Sequence, residues 1–376
     1  MRCPEPPERY FVSTFDDLGV DHIGFSVGDL TQATEFFVNG YGMEVYARSV
    51  SGTSDDPVIR TALGGGNIRV LLTDARGADH PATAYVDRHG DGVSDIALST
   101  ADAAGAFAEA VRRGARPVAE PSERDGVVTA TIAGFADVTH TFVQRASGVD
   151  SRALPGLTAV GPVAAEAGTP DTAGAGLHTV DHFAVCLEPG QLAATVAFYE
   201  TVLDFEMVFT ERIIVGGQAM DSQVVQSRSG AVTLTLIEPD TSREPGQIDT
   251  FIKEHGGGGV QHVAFATDDI VRAVRRLGAD GVRFLTTPSA YYDMVPERLD
   301  LRRHSLDALR ESNILVDEDQ DGQLLQIFTR SAHPRGTLFF EVIERLGART
   351  FGSGNIKALY TAVEMEMQQA RQDTDR

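Results

Sequence analysis

Two histidines and one glutamate stand out in this chain of 376 residues. His182 lies in VDHFAVCL, His262 in VQHVAFAT and Glu341 in TLFFEVIE. Each stretch reads as a strand, in which successive side chains point to opposite faces. Alternation puts His182 on one face with Ala184 and Cys186, and Phe183, Val185 and Leu187 on the other. His262 shares its face with Ala264 and Ala266, while Val263 and Phe265 oppose it. Glu341 lies beside Phe339 and Ile343. Small neighbours leave room in front of both imidazoles, and the bulky reverse faces suit packing on helices. Two imidazoles and a carboxylate on neighbouring strands would make a facial triad that leaves open metal positions, as non-haem Fe(II) oxygen chemistry requires. Zinc ordinarily prefers a four-coordinate site. No CxxC or HExxH is present, which excludes thiolate zinc and metalloprotease sites.

A lone strand histidine is more often a packed or surface residue than a ligand. His22, His80, His89, His140, His178, His255, His304 and His333 are therefore given no role. His182 and His262 are set apart because they occupy equivalent faces of a repeat. The chain opens one half with VDHIGFSVGDLTQATEFFVNGYGMEV from Val20 and the other with VDHFAVCLEPGQLAATVAFYETVLDFEMV from Val180. Later, GVSDIALSTADAAGAFAEAVRRGARPV from Gly92 mirrors GVQHVAFATDDIVRAVRRLGADGVRF from Gly259. Each stretch reads strand, turn, amphipathic helix, strand, so each half carries two such units and the chain is a tandem duplication. His22 faces His182 in this alignment, but Asp95 faces His262, and THTFVQR offers no acid where TLFFEVIER has Glu341.

Ser147 to Gly176 is rich in Ala, Gly, Pro and Thr without a clear periodicity, and reads as a connection. The expected organisation is a metal-free first domain over 1–150, a linker over 151–178 and a catalytic domain over 179–376. Two domains also suit the length. The second half holds an extra segment, YYDMVPERLDLRRHSLDALRESNILVDED, before its last strands. A final helix, NIKALYTAVEMEMQQARQ, follows FGSG.

Hydrophobic residues make up 42% and charged residues 23%, which excludes disorder and fibrous classes. The net charge of −22 disfavours nucleic acid and anionic membrane as partners. No apolar run is long enough for a membrane helix, and MRCPEPPERY lacks the apolar core of a secretory signal. Two cysteines make a structural disulfide improbable and fit a cytoplasmic setting.

The duplicated strand–helix–strand pattern resembles the vicinal-oxygen-chelate fold. Within it, GGGGVQHVAFATDDI, LLQIFTRSAHPRGTLFFEVIERLG and FGSGNIKALYTAVEME resemble the 4-hydroxyphenylpyruvate dioxygenases and the related 4-hydroxymandelate synthases. The resemblance implies an α+β fold of tandem glyoxalase/dioxygenase-like domains. These are open barrels of repeated βαβββ modules, with a C-terminal helix over the active site. It implies Fe(II) held by His182, His262 and Glu341, with no protein general base. It places Ser222, Gln247, Gln261, Gln326, Phe339, Phe351 and Asn355 around the substrate. The implied substrates are 4-hydroxyphenylpyruvate and O₂, and a homo-oligomer is compatible.

Three departures bear on the product. The dioxygenases read Pro-x-Asn-Glu-Pro in the pocket strand, whereas this chain reads Thr235-Leu236-Ile237-Glu238-Pro239. They read Gly-Asn-Phe before the final helix, whereas this chain reads Gly354-Asn355-Ile356. Loss of Asn removes an amide that could hold a polar substrate group, and loss of Phe removes an aromatic wall. Thr235, Ile237 and Ile356 follow the synthase pattern, so the expected product is (S)-4-hydroxymandelate with CO₂, its benzylic hydroxyl serving hydroxyphenylglycine-type antibiotic biosynthesis. The alternative is homogentisate, the dioxygenase product of tyrosine catabolism. Glyoxalase-like isomerases and extradiol dioxygenases share such His/His/Glu sets but lack the FFEVIER…FGSGN run. Binding modules of this fold need no triad.

Overall fold

The computed structural model describes residues 13–49, 58–77, 79–160, 174–352, 354, 355 and 357. The first half runs β1 (Gly19–Ser26), α1 (Leu30–Glu35) leading into a π-helical turn (Phe36–Gly40), β2 (Glu44–Ser49), β3 (Val58–Gly65) and β4 (Ile68–Ala75). It continues through α2 (Pro81–His89), β5 (Gly92–Ser99), α3 (Ala103–Arg112), β6 (Pro117–Arg124), β7 (Val127–Ala133), β8 (Thr139–Arg145) and β9 (Leu157–Ala159). The second half runs β10 (Leu177–Cys186), α4 (Leu192–Leu203), β11 (Glu206–Val215), β12 (Gln218–Gln226), β13 (Thr233–Pro239) and α5 (Gln247–His255). Then come β14 (Gly259–Thr267), α6 (Ile270–Ala279), α7 (Ser289–Arg298), α8 (Leu306–Glu311), β15 (Leu315–Glu318), β16 (Gln323–Phe328) and β17 (Phe339–Leu346).

Each half therefore contains two βαβββ modules joined edge to edge. The first sheet has the order β6-β7-β8-β5-β1-β4-β3-β2-β9, and the second has β11-β12-β13-β10-β14-β17-β16-β15. In every module the opening strand lies parallel to the closing one, as β10 does to β13 and β14 to β17. The two opening strands of each half meet antiparallel at the centre, β1 with β5 and β10 with β14. The crossover helices begin where their sequences say they should. Asp102 caps α3 and Asp269 caps α6, each accepting a backbone N–H of the first turn. The extra segment of the second half forms α7, α8 and β15, inserted before the closing strands of the last module. Leu157–Ala159, within the Ala/Gly/Pro-rich connection, adds a short strand beside β2. The final helix expected from the sequence falls almost wholly outside the described residues.

Alternation sorts the second sheet as its sequence predicts. Phe183, Val185, Leu187, Leu234, Leu236, Val263 and Phe265 join the large core that the helices cover. Ala184, Cys186 and Ile237 face the other way, with Ile213, Met220, Ile248 and Phe251. Ala264, Ala266 and Ile343 share that second face further along the sheet. The large core is continuous between halves. Phe340 of β17 sits 5.2 Å from Tyr41 and 5.9 Å from Phe36, ring centre to ring centre, and Phe265 lies 6.1 Å from Tyr41. A cleft of about 550 Å³ at this joint, lined by Phe36, Arg283 and His333 among others, includes none of the triad residues. Among the described residues, no helix is long and apolar enough to cross a membrane.

Candidate metal centre

Register fixes which side chains meet. His182 of β10 pairs across the sheet with Ala264 of β14, and Ala264 pairs in turn with Glu341 of β17. His182 and Glu341 thus flank an alanine two strands wide, and converge over it because Ala264 has only a methyl group there. His262, paired with Ala184 and Phe339, completes the triangle one step along. One ligand atom from each of the three residues lies within 4.8 Å of the others, and all three residues are buried. Nε2 of His182 is 3.4 Å from Glu341 Oε2, and Nε2 of His262 is 3.3 Å from the same oxygen.

Two β-bulges add neighbours that strict alternation conceals. The β10–β14 pairing shifts between Val180 and His182, so Asp181 is an extra residue. It shifts again between Ala184 and Val185, which makes Gln261 extra on β14. A bulge turns two consecutive side chains toward one face. Asp181 thereby accepts from His182 Nδ1 at 2.8 Å, and Gln261 Oε1 approaches His262 Nδ1 at 3.3 Å. Arg345 grips both Asp181 oxygens at 2.8 Å, donates to the carbonyl of Thr350 at 2.8 Å, and lies over the Phe351 ring. On the other side Gln326 donates to Glu341 Oε1 at 2.7 Å, and Asn355 donates to Gln326 Oε1 at 2.9 Å.

The electrostatics are those of a buried anion–cation cluster. Burial works against a charged His182, but the Glu341 carboxylate and the bond to Asp181 outweigh it and carry the ring up to about 9. Burial likewise opposes ionised Glu341, yet the two imidazoles hold its carboxyl down at about 2. Burial pushes His262 down despite the same carboxylate. Asp181 resists its own burial through Arg345 and His182, and stays well below the usual carboxylate range. Two imidazole nitrogens aimed at one carboxylate oxygen, with Glu341 fully ionised, form a site that calls for positive charge at its centre. A divalent ion with N/N/O donors meets that demand.

The other expected residues fall into three groups. Gln326 is bonded to Glu341 and Asn355 to Gln326, while Phe339 stacks on His262 at 4.8 Å and Phe351 sets its edge on His182 at 5.1 Å. Ser222, Thr235 and Ile237 are buried on the same side of the sheet, Ser222 paired with Ile237 and Thr235 with Ala184. The Thr235 hydroxyl is buried without a hydrogen-bond partner. Gln247 opens α5, whose Ile248 and Phe251 pack against Ile237, and so borders this wall from a helix end. Ile356 lies outside the described residues. Asp181, Arg345 and Phe328, whose ring is 5.9 Å from His262, were not anticipated. A signal for the first two was present. Val-Asp-His begins the repeat in both halves, and an Arg stands at or next to the end of both last strands, at Arg145 and Arg345.

The first half repeats the frame without the triad. Asp21 accepts from His22 at 2.7 Å and pairs with Arg145, as Asp181 does with His182 and Arg345. In the register of β5 and β8, Asp95 stands where His262 does and Thr141 where Glu341 does. Thr139 and Thr141 both donate to Asp95, at 2.6 and 3.0 Å, and burial pushes its carboxyl up. Residues after β8 fill the concave face. Leu154 packs on Ala47 and Ala62, and Arg145 donates to the Ala153 carbonyl at 2.9 Å.

The sheet of paired βαβββ modules is that of the glyoxalase/bleomycin resistance protein/dioxygenase superfamily, whose family models match residues 179–295 and 21–131. The chain is 34% identical to a 4-hydroxyphenylpyruvate dioxygenase from Dictyostelium discoideum, over 93% of this chain and 98% of the relative. It is 31% identical to one from Neurospora crassa, over 94% and 92%. A solved structure, a triple mutant of 4-hydroxymandelate synthase from Streptomyces coelicolor, superposes with a TM-score of 0.83 at 41% identity, covering 93% of this chain and 98% of that one. The chain belongs to the family that these dioxygenases and this synthase form.

Proposed function

We propose that the chain is a 4-hydroxymandelate synthase that takes 4-hydroxyphenylpyruvate and O₂ to (S)-4-hydroxymandelate and CO₂ with Fe(II) held by His182, His262 and Glu341. The observation that carries the metal-centre reading is the convergence of those three buried side chains over Ala264. Bound there, Fe(II) would supply O₂ activation and oxidative decarboxylation of the α-keto acid. The rest of the chemistry is orientation, and it falls to this chain's own residues. Phe339 and Phe351, packed on the two imidazoles, restrict the approach to the triad and keep water from it. Asp181 and Gln261 fix which nitrogen of each imidazole faces inward. Ser222 and the unpartnered Thr235 hydroxyl offer polar contacts along a wall otherwise made of Ile213, Met220, Ile237 and Ile248.

The mandelate product rests on Thr235, Ile237 and Ile356. Ile237 gives the wall a branched apolar surface where an amide would bind a polar group. Thr235 replaces a proline's locked backbone with an ordinary one and adds a hydroxyl to the wall. Such a wall lets the aromatic ring turn so that the benzylic CH₂, rather than a ring carbon, meets the oxidant. The test is product analysis with the Fe(II)-reconstituted enzyme, 4-hydroxyphenylpyruvate and air, resolving 4-hydroxymandelate from homogentisate by retention because the two are isomers. Wild type yields mainly 4-hydroxymandelate. A Thr235→Pro/Ile237→Asn/Ile356→Phe variant moves product toward homogentisate. Mainly homogentisate from the wild type would overturn the synthase reading and leave the metal centre standing. An active triple variant that makes no homogentisate would sink the role given to those three residues.

A further inference from the structure

A hydrogen-bond chain leads from the inserted helix α7 to the triad. Val316 N–H donates to Tyr291 Oη at 2.8 Å. Tyr291 Oη lies 3.1 Å from Asn355 Oδ1, and also 2.8 Å from the Val316 carbonyl. Asn355 Nδ2 donates to Gln326 Oε1, and Gln326 Nε2 donates to Glu341 Oε1. Tyr291, Asn355, Gln326 and Glu341 are all buried, Asn355 completely. The direction of the chain follows from its end. An ionised carboxylate only accepts, so Gln326 must turn its NH₂ to Glu341 and its oxygen to Asn355. Asn355 must then turn its NH₂ to Gln326 and its oxygen to Tyr291, whose single hydroxyl hydrogen lies between that oxygen at 3.1 Å and the Val316 carbonyl at 2.8 Å. At the far end a backbone N–H, which can only donate, fills the tyrosine oxygen. Neither amide can flip without setting acceptor against acceptor in a buried place.

The consequence falls on Glu341. Its Oε1 is occupied by Gln326, and only Oε2 faces the imidazoles. We propose that Tyr291 is a positioning residue: acting through Asn355 and Gln326, it keeps Glu341 a one-oxygen ligand and so preserves the open metal positions that an α-keto acid and O₂ must share. This rests on the metal-centre reading above and adds to it a device that the first half lacks. Thr141 replaces Glu341 there, and no counterpart of α7 is inserted. Without the tyrosine hydroxyl, the Asn355 oxygen loses its donor among the described residues, the two amides lose their fixed orientation, and Oε1 is free to join Oε2 on the ion.

The test uses the whole chain loaded with Mn(II) in place of Fe(II), and reads water-proton relaxation, which counts the waters on the ion, together with Mn(II) affinity by titration. Wild type binds one ion per chain, and Glu341→Ala abolishes stoichiometric binding. Tyr291→Phe still binds Mn(II) but loses about a third of the inner-sphere relaxation, as one of the three positions a facial triad leaves open is closed. Gln326→Met gives the same loss, and the double variant gives no more, as expected of one chain. Full wild-type relaxation in Mn(II)-loaded Tyr291→Phe and Gln326→Met overturns the chain and leaves the metal centre intact. Equal Mn(II) binding by wild type and Glu341→Ala overturns both. Should Tyr291→Phe fail to fold, Gln326→Met decides alone.

Discussion

Asp181 and Asp21 are the same residue in two settings. Each accepts from the following histidine and pairs with an arginine at or next to the end of the closing strand. Asp21 is a buried anion and Asp181 a largely buried one, each costly if left alone, and in both the arginine offsets that cost. Of the two histidines, only His182 has its other ring nitrogen beside a glutamate, 3.4 Å from Glu341 Oε2. A carboxylate behind a ligand imidazole fixes its tautomer and raises its basicity, and such partners typically change metal affinity by roughly tenfold to a hundredfold. Asp181→Asn should weaken Mn(II) or Fe(II) binding by that factor, measured by titration. Asp21→Asn should leave metal affinity unchanged. It should lower stability by a few kcal/mol, at most about 3–5, because the largely buried Arg145 keeps its charge and loses its anionic partner. Weaker metal binding in Asp21→Asn would show that the effect is global loosening rather than ligand orientation.

At the scale of elements, the segment after each closing strand decides what its half becomes. After β17, residues 347–352 pass the triad, held by Arg345 to the carbonyls of Ala348 and Thr350, and Phe351 and Asn355 lie against it. After β8, the chain lies down on its own concave face and inserts Leu154. Truncating Leu154 to Ala should cost about 2–5 kcal/mol in chemical or thermal unfolding, the usual range for emptying a buried leucine site. Metal binding per folded molecule should not change. The filling by Leu154 was not legible in the sequence, where Ala, Gly and Pro spoke only of a connection. The triad was legible, because His182, His262 and Glu341 each sit beside small or core-facing neighbours at strand spacing, in a duplicated frame. Asp181 was not, because alternation sends it to the opposite face from His182 and only a bulge brings it back. Tyr291 was not, since it belongs to an insertion with no repeat partner, and its effect passes through two amides distant in sequence.

For the whole molecule, the joint between halves carries its own titration. His140 of β8 is fully buried, its Nδ1 3.1 Å from the Ile96 carbonyl and its Nε2 2.8 Å from the Tyr199 hydroxyl of α4. A carbonyl only accepts, so Nδ1 carries the hydrogen, and bare Nε2 accepts from the tyrosine across the joint. Burial pushes His140 down to about 4, and does the same to His255, whose ring stacks 4.2 Å from His89 between α5 and α2. In the unfolded chain both return to about 6.5. Between these values the unfolded state binds the extra protons, so stability falls as pH drops through the window from about 6.5 to about 4 and is complete above it. For His140 alone the full loss is on the order of 3 kcal/mol. Denaturant unfolding at pH 7, 6 and 5 should therefore show stability declining with acid well above the range where carboxylates protonate. Gln in place of His140 can keep an acceptor for Tyr199 but cannot titrate, so His140→Gln should flatten that slope even if it lowers stability at pH 7. The core that joins Phe36 and Tyr41 to Phe265 and Phe340 makes the halves one packed body, so the loss should appear in a single transition covering both. A separate early transition of one half, or an unaltered slope in His140→Gln, would remove the joint from the account of acid sensitivity.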